Sequence, residues 1–72
     1  MRKDSEMFLK KALAYRDEMG KDSFELNIKY FSEIPNIVTA IGDILNDLKW
    51  NNCISSKSKV CDLEGNIAYI LL

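Results

Sequence analysis

Seventy-two residues, 47% of them hydrophobic and with no Gly/Pro/Ser-rich stretch, describe one folded domain near the lower size limit for a self-sufficient core. Ten basic and eleven acidic residues leave a net charge of −1, so the basic excess from which nucleic-acid modules draw affinity is absent. Two cysteines and no histidine cannot close a zinc site, and no apolar run approaches the roughly 18 residues of a membrane span.

Asp4 to Met19 reads as a helix. Asp4 or Ser5 can cap it, and Glu6 falls in the first turn, where the helix dipole favours an anion. Phe8, Ala12, Tyr15 and Met19 recur at helical spacing, with Leu9 and Leu13 widening the stripe. Gly20 supplies the left-handed position that ends helices. Lys10, Lys11, Arg16, Asp17 and Glu18 make a mixed, solvated face.

Phe24 to Ile34 carries two signals. Phe24, Leu26, Ile28 and Tyr30 alternate with polar residues at strand period, whereas Phe24, Ile28 and Phe31 keep helical spacing behind Asp22 and Glu25, which are set like a capping box. A mixed reading satisfies both: an extended stretch over Phe24–Leu26, then a helix from Ile28 to about Glu33 capped by Asn27. An alternative α+β reading makes Ser23–Phe31 one strand joined to the C-terminal hairpin. Pro35 disfavours helical geometry at Ile34, so the second helix stops there and a third begins near Asn36. Ile37, Ile41, Ile44, Leu45 and Leu48 then draw one continuous stripe, predicting a helix to Trp50 with Asn51 and Asn52 in its terminating turn.

The tail reads as a hairpin, with Ile54–Val60 as one strand, Asp62-Leu63-Glu64-Gly65 as the loop and Asn66–Leu72 as the other strand. The first strand is polar through Ser55, Ser56, Lys57, Ser58 and Lys59. The second is apolar on both faces, more than a small antiparallel domain needs, so a surface from outside the chain is expected to cover one of them. On a single strand Cys53 and Cys61 would stand more than about 20 Å apart, too far for a disulfide. Two reduced thiols fit a cytoplasmic protein.

Leu26-Asn27-Ile28-Lys29-Tyr30-Phe31-Ser32-Glu33-Ile34 resembles the strand, cap and second helix of bacterial winged helix-turn-helix regulators. Asn52-Cys53-Ile54 falls where that superfamily enters its wing, and Val60 to Tyr69 occupies the wing position. The chain is also similar to small uncharacterised proteins of bacteria and their prophages. The resemblance implies an α+β fold, a single winged-helix domain over residues 1–72 with three helices followed by a C-terminal β-hairpin wing. It implies in turn a phage-type or bacterial transcription regulator that contacts DNA through Lys29, Asn36 and Thr39 and through Lys57 and Lys59 of the wing.

The third helix departs from that pattern. Its outward face carries Asn36, Thr39, Ala40, Asp43, Asp47 and Trp50, and its two aspartates would meet phosphates with the wrong sign. A core helix with a solvated outer face explains these residues better than a recognition helix does. Lys57 and Lys59 serve equally as guards of an exposed strand edge, and Arg2, Lys3, Lys10 and Lys11 as an ordinary solvated helix end. The second functional reading is therefore a protein-interaction module with the same fold and no DNA binding. Its contact residues would be Trp50, exposed by spacing, and an apolar surplus of Leu9, Leu13, Tyr15, Ile70 and Leu72, for which a homodimer is the simplest answer. No nucleophile stands beside a plausible base and no phosphate loop is present, so neither an enzyme, a cofactor nor a small-molecule substrate is expected.

Overall fold

The stripes of the first and last expected helices both form as helices in the computed structural model, which describes residues 1–72. Helix α1 spans Lys3–Met19 and helix α2 spans Ile37–Trp50. Gly20 ends α1 at φ 69°, donating its N–H to Arg16 O at 2.7 Å. Asn36 enters α2 at φ 55°, a conformation asparagine tolerates, and its carbonyl accepts from the Thr39 and Ala40 N–H groups. The left-handed turn after α2 sits on Asn52, at φ 59°.

Between and after the helices the architecture differs from the expected one. The molecule is α+β with two helices and a three-stranded antiparallel sheet, in place of three helices and a hairpin wing. Strand β1, Ser23–Asn27, is longer than the expected extended stretch, and it is followed by a four-residue 3-10 turn over Ile28–Phe31 where a helix to Glu33 was expected. Asn27 caps that turn as anticipated, its side chain accepting from the Lys29 N–H at 2.9 Å. The turn stays short because both its ends are committed. Ile28 donates its N–H to Asn66 O, continuing the sheet, and Pro35 follows directly after Ile34.

Strands β2, Lys59–Val60, and β3, Ile67–Leu71, complete the sheet in the order β1-β3-β2. The expected first hairpin strand, Ile54–Val60, thus shrinks to two residues. Ser55 causes this: its hydroxyl accepts from the Lys57 N–H and its carbonyl from the Ser58 N–H, folding the serines into a turn. The alternative that joined a strand to the hairpin is correct in kind, although the strand ends at Asn27 and not at Phe31. In the observed register Phe24 stands opposite Ile70 and Leu26 opposite Ala68, all four turned toward the helices.

The core gathers Phe8 and Ala12 of α1, Ile37, Ile41, Ile44, Leu45 and Leu48 of α2, the inward side of the sheet, and Ile28, Phe31, Ile34 and Ile54 from the connections. Phe8 and Phe31 stack at its centre with ring centroids 4.1 Å apart. Each such large side chain contributes roughly 1.5–3 kcal/mol by leaving water. No helix is long and apolar enough to cross a membrane.

Candidate interaction surfaces

Of the residues singled out for DNA contact, three come together. Lys29, Asn36 and Thr39 border one shallow depression at the start of α2, with Ser32, Pro35 and Val38. The Thr39 hydroxyl is already engaged, donating to Asn36 O at 2.9 Å. Lys57 and Lys59 lie elsewhere: Lys57 is exposed in the turn before β2, and Lys59 projects from the outer side of the sheet beside Glu25, Cys61 and Tyr69. The five do not form one surface.

The aspartates of α2 are not simply left to solvent. Asp47 is half-buried against the start of α1, where it accepts from the Arg2 backbone N–H at 3.0 Å and from the Asn51 side chain at 3.2 Å. That Arg2 N–H bond leads in holding the carboxyl below its ordinary value, and the nearby Ser5 hydroxyl, buried and short of full hydrogen-bond geometry with any partner, adds to it. Asp47 thereby satisfies a backbone N–H at the start of α1, where Asp4 or Ser5 was expected to act as the cap. Asp4 instead receives the Arg2 guanidinium at 3.1 and 2.8 Å, which raises the arginine pKa, and Asp43 stands 3.6 Å from the same group.

The expected apolar surplus is largely absorbed by the chain itself. Ile70 is fully buried, and Leu9, Tyr15 and Leu72 pack half-buried on the core. Leu13 is half-buried on α1. The Tyr15 ring contacts Phe24 and Tyr30 at centroid distances of 4.6 and 5.2 Å, making it the edge of an internal aromatic cluster. Trp50 alone keeps its expected position, 87% exposed at the last turn of α2.

The expected uncovered face of β3 exists, but it is made by other residues than Ile70 and Leu72. Ile67, Tyr69 and Leu71 alternate with buried Ala68 and Ile70, so they occupy the side away from the helices, and each is half-exposed. Glu25 and Lys59 flank Tyr69 on the neighbouring strands, directly opposite it in register. The alternation of β1 alone does not set this phase; the register does, by placing Ile70 opposite Phe24 and Tyr69 opposite Glu25. Choosing Ile70 and Leu72 as the surplus mistook the phase of the strand.

Neither cysteine is bonded to the other. Cys53 lies half-buried after α2 and Cys61 is exposed after β2. No group of three potential ligands is positioned to hold a metal ion. The chain matches no protein-family model, no curated protein and no solved structure.

Proposed function

We propose that the chain is a protein-interaction domain that anchors a protein partner through Trp50. The observation that carries this reading is the 87% exposure of the chain's single tryptophan. An indole held in water at the end of a rigid helix is costly to keep and is the side chain most often found at the energetic centre of protein interfaces. Its surroundings suit that role. Asn46, one turn earlier on α2, and Asn52 just beyond are exposed amides, which supply hydrogen bonds without a charge to desolvate. The same helix carries Asp43 and Asp47, which argues for a protein surface and against a phosphate backbone.

Because Trp50 is the only tryptophan, its fluorescence reports this site alone. Proteins retained on the immobilised full chain and lost with Trp50→Ala are the candidate partners, and each should shift the indole emission to shorter wavelength on titration. Retention unaffected by Trp50→Ala overturns the reading. So does tight binding of random duplex DNA near 50 mM salt, where electrostatic association is strongest.

A further inference from the structure

A second surface, independent of Trp50, is the outer side of the sheet. Across its middle runs the row Glu25, Tyr69, Lys59: a carboxylate, an aromatic ring and an ammonium on β1, β3 and β2. Above and below the tyrosine, Ile67 and Leu71 continue an apolar stripe along β3. Glu25 and Lys59 are both exposed, and neither takes part in any ion pair within the chain. Acid on one flank, base on the other and an apolar stripe between them form a pattern that is complementary to itself.

We infer that this side of the sheet pairs with the same side of a second copy of the chain, about a two-fold axis running along β3. The geometry follows from symmetry. Rotation about an axis parallel to β3, lying between two facing sheets, exchanges the left and right flanks. Glu25 of each copy then stands over Lys59 of the other, and the two Tyr69 rings meet near the axis. An axis across the strands would set Glu25 on Glu25 and Lys59 on Lys59, so charge selects the first arrangement. Facing sheets sit about 10 Å apart, a gap that a glutamate and a lysine span together. Their strands would be aligned to within about 30°. Two strands of five residues and one of two present a face of at most roughly 17 by 14 Å, below the size of a standard interface, so the dimer is of the weak class and sensitive to salt.

Sedimentation of the full chain over a range of concentrations at low and high salt reads the association directly. The wild type is expected to dimerise reversibly and at least tenfold more weakly at high salt. Glu25→Lys and Lys59→Glu each place like charges in contact, and each should be monomeric at concentrations where the wild type is dimeric. An equimolar mixture of these two variants restores opposite charges at both contacts, so it should form a heterodimer that neither variant forms alone. Circular dichroism of each variant confirms that the fold persists. A wild type monomeric at every concentration overturns the inference, as does a dimer that survives both substitutions, or a mixture that stays monomeric. Trp50→Ala should leave the dimer intact, so failure here is separable from failure of the partner reading.

Discussion

The two sides of strand β3 differ in what covers them, although their residues are similarly apolar. On the inner side, Ala68 and Ile70 are completely buried against helices that carry a matching stripe. On the outer side, Ile67, Tyr69 and Leu71 are only half-buried. Hydrophobic residues on a strand therefore report burial somewhere, but they do not say in which molecule. The inner side stabilises this chain, and the outer side stays half-exposed.

Substitutions can break that contrast or sharpen it. The largest effect is expected from Ile70→Ala, which empties part of a closed core and should destabilise by about 2–5 kcal/mol in a urea titration. Tyr69→Ala, the outward neighbour, should cost well under half as much. Equal losses would mean that the two sides are alike. Next comes Ser58→Ala. This hydroxyl is buried, accepts from the Leu71 N–H at 2.9 Å and donates to Leu71 O at 3.4 Å, replacing a strand residue where β2 gives out. Leaving the Leu71 N–H unpaired should cost about 1–3 kcal/mol.

A smaller effect belongs to Gly65, at φ 77°, where an added Cβ would meet Val38 only at ordinary contact distance. Gly65→Ala should thus reflect backbone strain alone, about 1–2 kcal/mol in thermal melts, without disturbing either side of the sheet. Smallest is Asp47→Asn, read as the pH dependence of stability. A carboxyl whose pKa is lowered on folding from its ordinary 3.8 contributes stability above that value and loses it as pH falls through the folded one. The wild type should exceed the variant near neutrality and converge with it in acid. Parallel curves would show that the bond to the Arg2 N–H has no electrostatic weight.

Local pattern made much of the fold legible. The stripe of Phe8 and Ala12 and the stop at Gly20 place α1, and Ile37 to Leu48 place α2 within one residue of its observed start. Asn27 was readable as a cap because an asparagine side chain acts on its own neighbours. The pairing of β1 with β3 was not readable in this way, since residues forty or more positions apart fix it. The Ser55 turn was missed for the opposite reason. Its serines and lysines look the same in an exposed strand and in a turn, and only the hydrogen bonds to Ser55 tell them apart. For the candidate surfaces, Trp50 was visible from helical spacing, whereas the Glu25–Tyr69–Lys59 row exists only once three strands are aligned.

The Asp62 carboxylate at the hairpin bend bears on the alignment of the strands. Its Oδ1 accepts from the Asn66 N–H at 2.6 Å and from the Ile67 N–H at 2.9 Å, fixing where β3 begins. A ribbon that is greasy on both surfaces has little other means of choosing between neighbouring offsets, since sliding by one position would merely trade one set of oily groups for the other. The side-chain oxygens of Asp62 and Ser58, at opposite ends of β3, therefore act as the pins that stop it from slipping, and with it the choice of which surface the molecule shows to the outside.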